Sequence, residues 1–566
     1  IGREFDDDIL AGKTRIAARY LRKEFHLRGE VSMARLYVSG MGVYSAYLNG
    51  NEIAPDELLK PTLSWYPKRI YFNTYDVTDL LHNGDNAIGV ILEGGRYTPI
   101  RHNTDNPTRD GTENVVAFGT PQLLLQLEVT YMDGQKETIV SNESWKITNR
   151  GPIRTANEWD GETYDANFDL GDWSHAGYDD SEWFQAERID STVQPSNPTT
   201  VLPQPNPNIR VMEVLKPARM FRRGDAWYLD MGQNMVGFVD MKVHGAQPGD
   251  TITLRFAELL GDDSTLYTAN LRSSENTDRY INSSNPSTAD TQLSWHPMFV
   301  YHGFRYVQIT GLREEPRLDD FEGRVIYDEM PMTGTFETSD EILNAVYRNA
   351  CWGIRGNYRS MPTDCPQRDE RMGWMGDRTT GCYGESYIFN NHRLYCKWLT
   401  DGNDCQRPDG QLPDVAPAYW RFYSDNLTWP AAMLTVTDML YTRFGDIQPI
   451  RQHYDAWKRW LLHMKEAYMS DGIIARDTYG DWCMPPESPE LIHSRDTSRI
   501  TPAVALATPF YCHLCGIMAH FAECLGLHDD MLYFANEVDT VTRAYNDKYF
   551  HHLPTTDHDS PTINIQ

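Results

Sequence analysis

The chain has 566 residues, with 80 acidic against 52 basic side chains and a formal net charge of -28. That charge repels phosphate backbones and anionic lipid, which excludes nucleic acid and membrane surfaces as natural partners and leaves a neutral ligand as the easier fit. The length exceeds one ordinary domain, so roughly two to four are expected. Aromatic residues make up 12% of the chain, including 15 Trp and 32 Tyr. Their flat, half-polar rings suit both core packing and stacking on sugar faces, and the core accounts for most of them.

No run of about 18 apolar residues is evident, so no membrane span is expected. The opening Ile1-Gly-Arg-Glu-Phe-Asp-Asp-Asp8 lacks the charged and apolar regions of a signal peptide. The compartment stays open, with periplasm or exterior slightly ahead of cytoplasm, and oligomeric state is not legible. The nine cysteines lie between Cys351 and Cys524 with no regular spacing, which argues against a disulfide framework. Cys512-His-Leu-Cys515 lacks a second ligand pair and sits in an apolar helical run, so it reads as buried thiols. Neither a metal nor another cofactor is expected.

From about 15 to 190, short alternating runs broken by turn pairs predict an antiparallel sandwich. Arg35-Leu-Tyr-Val-Ser-Gly40 and Val43-Tyr-Ser-Ala-Tyr-Leu48 read as strands, and Asn49-Gly50 as a type I′ turn that needs positive φ. Ile88-Gly-Val-Ile-Leu92 follows Asn83-Gly84 in the same way. The Pro-rich stretch from Val193 to Asn208 cannot donate a continuous ladder and reads as a linker, with a boundary near 200. The first domain is thus 1–200, a carbohydrate-binding-like sandwich. The second is 201–329, another sandwich, with strands at Phe238–Val243, Thr251–Phe256 and Phe304–Ile309.

After Thr333 the period changes. Ile342, Leu343, Val346, Tyr347, Ala350, Cys351 and Ile354 recur at helical spacing. Gly445 followed by Asp446 and Pro449 marks the turn of an αα-hairpin, and further helical runs cover about 503–527 and 530–549. The third domain, 330–566, reads as repeated helical pairs.

Met361 to Asp377 gathers Asp364, Asp369, Glu370 and Asp377 with Arg368, Arg371 and Trp374 around prolines and glycines. Carboxylates crowded beside arginines and an aromatic wall have their proton affinities pushed apart, so one can act as an acid while others stay charged. Cleavage of a glycosidic bond needs such a donor on the leaving oxygen. An Arg/Asp/Glu salt-bridge loop that caps helices and joins domains fits the residue types equally well.

Pro362-Thr-Asp-Cys-Pro-Gln-Arg-Asp-Glu-Arg-Met-Gly-Trp-Met-Gly-Asp377 resembles the catalytic signature of the family 78 α-L-rhamnosidases, bacterial-type inverting glycoside hydrolases. Thr333–Asn344 resembles the start of that family's helical domain. Asp230–Phe238 and Tyr301–Tyr306 resemble its middle β domain, and Ala34–Tyr97 with Gly161–Ala166 its N-terminal sandwich.

The resemblance implies a multidomain β + α chain: two antiparallel, jelly-roll-like β-sandwich domains, then an (α/α)6 barrel that this chain leaves incomplete. It implies inversion, no catalytic metal, and a terminal α-L-rhamnose of a polysaccharide or glycoside as the ligand. Glu370 matches the general acid, Asp364 and Asp377 match carboxylates that hold rhamnose hydroxyls, and Trp374, Trp429 and Trp482 match aromatic positions of the pocket. Arg368 either orients Glu370, binds substrate or makes a structural ion pair. Asp414 could reach the sugar or belong to a plain turn.

Two departures stand out. After Trp429 the family commonly has Gly-Asp-Ala, where this chain has Pro430-Ala-Ala432. The family's general base, a Glu next to Trp, is expected beyond Gln566, so this sequence reads as a piece of a longer enzyme. The rival readings are a non-catalytic carbohydrate-binding protein using Trp65, Tyr66 and Tyr97, and a barrel glycosidase for another terminal sugar. Sequons at Asn142, Asn282 and Asn426 fit surface loops.

Overall fold

The computed structural model describes residues 16–99, 118–189, 199–286, 292–480, 501–551 and 562–563. They form two compact units: a β-rich one, comprising residues up to Glu329 together with Phe336–Arg371, and a helical one, comprising Met330–Thr335 and the residues from Met372 onward.

The β-rich unit begins with two facing sheets. The strand order of one is Phe184–Gln185, Lys146–Thr148, Arg19–Leu27, Gly84–Glu93, Val43–Leu48, Asn51–Glu52. The other runs Thr200–Pro203, Arg69–Asp76, Val31–Met41, Gln122–Tyr131, Lys136–Val140. Alternate side chains meet between them, with Leu36, Val38, Leu48, Ile88, Val90 and Leu127 fully buried around Trp145. Each such side chain contributes about 1.5–3 kcal/mol of burial. The predicted turn is present, with Asn49 at φ +49 and Gly50 at φ +82.

A larger sheet carries the second core. Its 19-residue strand Ala226–His244 pairs antiparallel with His302–Thr310, Phe321–Asp328, Arg219–Arg223 and Gln292–Trp295. Leu229, Val239, Met241, Leu254, Phe256, Phe304, Val307 and Ile309 fill its buried face. Sheet membership crosses the division expected near 200: Gly161–Asp165 pairs in parallel with Thr277–Ile281, and Glu57–Leu58 pairs with the strand Ile209–Leu215.

Part of the expected linker is also strand. Thr200–Pro203 adds in parallel to Arg69–Asp76 at the edge of its sheet, where proline's missing N–H costs no ladder bond.

Helix α1 (Glu341–Arg355) forms where the period predicted it, capped by Asp340. The expected apolar face is not its buried one. Ile342, Leu343 and Val346 are 74%, 50% and 59% exposed, while Asn344 is buried and clamps Thr338 through its backbone N–H and carbonyl. Trp352 on the same helix packs against the second β core, and Arg355 pairs with Glu213.

The helical unit contains α2 (Met375–Ser386), α3 (His392–Asp404), α4 (Ala432–Phe444), α5 (Gln448–Tyr468), α6 (Ala503–Leu525) and α7 (His528–Tyr549). The hairpin between α4 and α5 is as expected: Gly445 takes the left-handed conformation at φ +70, and Asp446 Oδ1 accepts the Gln448 N–H. Trp398, Met433, Leu434, Trp457, Trp460 and Leu461 are buried within this unit. Helix α6 corrects the expectation that no segment could cross a membrane. By length and composition it is apolar enough. Here it packs along α7 and buries Tyr511, Leu514, Met518 and Phe521, as a core helix does. Two sequons are likewise not on the surface, since Asn282 and Asn426 are fully buried, whereas Asn142 is exposed.

The β-rich unit contains a proton-holding carboxyl. Glu162 is buried; its Oε2 accepts the N–H groups of Met298 and Phe299, both at 3.0 Å. Burial pushes its pKa up to about 8 against those two bonds, and Asp278 and Glu93 push the same way. Above the unfolded value the native state holds a proton that the unfolded chain has released, so Glu162's contribution is complete at acid pH and is lost as pH rises toward 8. Urea unfolding at pH 5 and pH 8 is expected to show lower stability at pH 8. Glu162→Gln is expected to reduce that difference by roughly 1–3 kcal/mol, and an unchanged pH dependence in the variant would contradict this.

Candidate active site

In the β-rich unit the segment Tyr358–Arg371 is a loop bound down at nearly every residue. Ser360, at φ +62, donates its N–H to the buried Asp328 carboxylate at 2.7 Å. Pro366 lies against Gly303, where a Cβ would come within 2.9 Å of the proline ring. Gln367 O accepts from Asn276 Nδ2 at 2.8 Å, and Glu370 O from Trp159 Nε1 at 3.2 Å.

The main anchor is Arg371, fully buried and at φ +59. Its Nη1 donates to the carbonyls of Tyr301, at 3.0 Å, and of Glu158. Its Nη2 donates to Asn276 Oδ1 at 2.9 Å and Gln367 O at 3.1 Å, and its Nε to Arg368 O at 3.1 Å. Burial lowers its pKa, against the pull of Tyr301 and Glu158. Carbonyl dipoles converging from several chain segments solvate the charge that water would otherwise hold.

This anchoring presents a cluster of charges. Arg368 donates through Nη2 to Asp364 Oδ2 and through Nε to Glu370 Oε2, each at 2.9 Å. Arg272 reaches the same Glu370 oxygen through Nη2 at 2.9 Å. Asp369 is turned away: its Oδ2 accepts Ser273 Oγ at 2.6 Å, and Arg272 Nη1 stands 3.4 Å from its Oδ1. Burial opposes the charge on Arg368, but Cys365, Asp364 and Glu370 outweigh it and raise its pKa above the ordinary value. Burial, reinforced by Asp364, pushes the Cys365 thiol well up. Asp364, Cys365 and Glu370 come close enough to share an ion, yet Arg368 already bonds both carboxylates and sets a positive charge where a metal would sit.

The four acidic residues read together in the sequence therefore have different surroundings. Asp364 and Glu370 share Arg368, Asp369 is a structural pin, and Asp377 lies in the first turn of α2 in the helical unit, exposed. Arg272 and Ser273 were not singled out in the sequence. They sit almost a hundred residues upstream at the end of a 3-10 turn, with no motif around them.

In the helical unit the aromatic candidates gather. Trp374 stacks on Phe422 with centroids 5.9 Å apart and meets Trp420 and Tyr479 edge-on. Trp429 stacks on Tyr479 at 4.4 Å. Asp477 accepts N–H bonds from Leu427, Thr428, Tyr479 and Gly480, so one carboxylate joins the segments carrying the stacked pair. Gly376 lets Trp429 lie against α2, since a Cβ there would fall 2.3 Å from the indole.

Asp414 is fully buried and accepts bonds from Tyr479 Oη at 2.7 Å, Asn426 Nδ2 at 2.9 Å and Ser424 Oγ at 3.0 Å. Burial raises its pKa despite those donors. Through those bonds it supports the aromatic cluster. Ala431, which stands where the family commonly has an acidic residue, is fully buried at the N-cap of α4. Trp482 lies outside the described residues. Tyr479 and Asp477 were missed as supports because only the fold brings residue 414, 429 and 479 together.

β-sheet domains followed by paired helices, with a carboxylate and arginine cluster in the one unit and an aromatic group in the other, define a modular β-sandwich and helical-hairpin chain. Residues 29–213 match the alpha-L-rhamnosidase N-terminal domain, residues 222–327 the bacterial alpha-L-rhamnosidase concanavalin-like domain, and residues 331–565 the bacterial alpha-L-rhamnosidase 6 hairpin glycosidase domain. The chain belongs to the family 78 α-L-rhamnosidases.

It is 34% identical over 554 residues to an alpha-L-rhamnosidase of Formosa agariphila, which covers 96% of this chain and 57% of that protein. The alpha-L-rhamnosidase structure from Dictyoglumus thermophilum superposes with a TM-score of 0.85 at 34% identity, covering 94% of this chain and 56% of that one. That of Streptomyces avermitilis, solved with L-rhamnose, gives 0.85 at 34% identity over 95% and 49%. The chain spans about half the length of the curated relatives it matches.

Two substitutions test the supports. Arg371→Met leaves several carbonyls without a donor and is expected to destabilise the β-rich unit by about 3–5 kcal/mol, read from urea unfolding. A loss below 1 kcal/mol would remove Arg371 as the anchor. Gly376→Ala, which drives a methyl into the Trp429 indole, is expected to cost about 1–3 kcal/mol and to shift the tryptophan fluorescence of the folded protein.

Proposed function

We propose that the chain carries the acid half of an inverting α-L-rhamnosidase, which releases terminal non-reducing α-L-rhamnose from polysaccharides or glycosides. The observation that carries this reading is the setting of Glu370, tethered through Oε2 by Arg368 and Arg272 on a rigid loop within the family's signature.

In this reading Glu370 is the general acid. Its proton passes to the glycosidic oxygen as the bond to the anomeric carbon breaks. Water adds to that carbon from the opposite face and gives its own proton to a separate base carboxylate, so rhamnose leaves with inverted configuration and the aglycone as a free alcohol. The two guanidiniums hold the carboxyl in one orientation, which matters because proton transfer depends steeply on distance and alignment.

Asp364 is a hydroxyl-binding carboxylate and Arg368 a positioning residue that orients both acids. Asp377, Trp374, Trp429 and Trp482 are further sugar-binding groups. Rhamnose bears a methyl where most hexoses carry a 6-hydroxyl, so aromatic surface suits it.

The rival reading, a lectin-like protein using its N-terminal sandwich, has less support. Tyr66 and Tyr97 are buried and pack edge-on to each other, and both meet Phe118. They have no free ring face to offer a sugar in the way a stacking platform requires.

The decisive experiment is Glu370→Gln in the full-length enzyme, assayed on an aryl α-L-rhamnoside carrying a poor leaving group. A fall in kcat of about 10²–10⁴-fold is expected with the circular dichroism spectrum unchanged. Activity within a few-fold of the parent would remove Glu370 as the acid. A parent enzyme that cleaves other aryl glycosides but not the rhamnoside would remove the substrate assignment.

A further inference from the structure

Away from the carboxylate cluster, the helical unit brings a histidine, a cysteine and an aspartate to one point. His392 is the first residue of α3 and Cys396 lies one turn later, so both side chains leave the same helix face. Asp446 comes from the α4–α5 turn. Its Oδ1 is committed to the N–H of Gln448 at 2.9 Å, which fixes the carboxylate and leaves Oδ2 directed at α3. His392 Nε2 stands 2.8 Å from Asp446 Oδ2, and Cys396 Sγ stands 3.7 Å from each of those two atoms.

Pairwise hydrogen bonds, with the thiol donating to Asp446 Oδ2, account for each contact taken singly, but three metal-ligating atoms of three different kinds meet at one point. The triangle does match a metal. Zinc lies about 2.0–2.2 Å from imidazole nitrogen and carboxylate oxygen and about 2.3 Å from thiolate sulfur, and one point satisfies all three lengths here. The resulting angles are roughly 90° between nitrogen and oxygen and roughly 115° for the two that include sulfur, a pyramid close to three corners of a tetrahedron. The His392 and Asp446 side chains are 29% and 20% exposed, which leaves a path for the ion and a fourth position for water.

We propose that His392, Cys396 and Asp446 form a binding site for a divalent transition ion of the zinc class. The donor set is the reason for that class: imidazole and thiolate disfavour magnesium and calcium, which take oxygen ligands. Charge balance supports it as well, since a neutral imidazole, a thiolate and a carboxylate exactly offset a 2+ ion in a half-buried setting. Without metal the Cys396 side chain is a thiol, as a free cysteine is at neutral pH. Binding therefore forms three metal–ligand bonds and releases the Cys396 proton to solvent, without any change of oxidation state. The ion would tie the start of α3 to the α4–α5 turn, a stabilising staple within the helical unit.

The test is a cobalt(II) titration of the full chain after chelator treatment and dialysis. A 1:1 complex is expected, with a near-ultraviolet thiolate-to-cobalt charge-transfer band and the visible bands of four-coordinate cobalt, all bleached by one equivalent of zinc. Cys396→Ser is expected to abolish the charge-transfer band with the helical content unchanged. Asp446→Asn keeps a side chain able to cap α5 and is expected to weaken zinc binding about 10–100-fold. Zinc should raise the unfolding midpoint of the parent and not of Cys396→Ser. A titration without spectral change up to 100-fold excess cobalt overturns the proposal, and so does a band that persists in Cys396→Ser, which would place the ion on other cysteines.

Discussion

A single buried guanidinium governs the geometry of the loop Tyr358–Arg371 in the β-rich unit. Arg371 has no carboxylate partner in its hydrogen-bond set; instead its donors collect the carbonyls of Glu158, Tyr301, Gln367 and Arg368 and the amide oxygen of Asn276. Those acceptors come from three distant parts of the chain and from the loop itself. Because an unsolvated charge in a protein interior is so costly, the loop has little freedom to move without breaking several of these bonds together. The residues it carries inherit that rigidity, which an exposed ion pair alone would not supply.

Around that anchor the charges separate into supports and working groups. Asp369 uses its oxygens on Ser273 and Arg272 and is almost wholly enclosed, so it holds Arg272 in place. Glu370 stands at the more open side, with Arg272 and Arg368 meeting at one oxygen. Removing either guanidinium would change both the orientation and the field at Glu370, so mutational effects in this cluster are expected to be strongly non-additive.

The helical unit builds its aromatic group by a different principle. Two buried or half-buried aspartates, Asp414 and Asp477, organise the backbone and hydroxyl donors around them, and Trp374, Trp429 and Tyr479 stack on that frame. Polar groups in the second rank fix the rings, and the rings present the surface. The same logic of caps and turns places Asp446 at the end of the α4–α5 hairpin, where one oxygen terminates a helix and the other faces His392 and Cys396.

Much was decided by local sequence alone, for identifiable reasons. Period-two runs announce the first sandwich and Asn49-Gly50 one of its tight turns, because that pair tolerates two successive positive φ angles, and Gly445-Asp446 with Pro449 announces a helical hairpin because each residue satisfies a helix-end requirement. The uninterrupted motif from Pro362 to Asp377 announces the family, since so many constrained positions rarely coincide. Tertiary structure decided the rest. It brought Arg272 and Ser273 to a loop almost a hundred residues away, made Asp414 a buried support, turned the apolar stripe of α1 outward and drew a Pro-rich stretch into a sheet edge. Those outcomes depend on which distant groups supply hydrogen bonds and which faces find partners, and neither is written in the spacing of neighbouring residues.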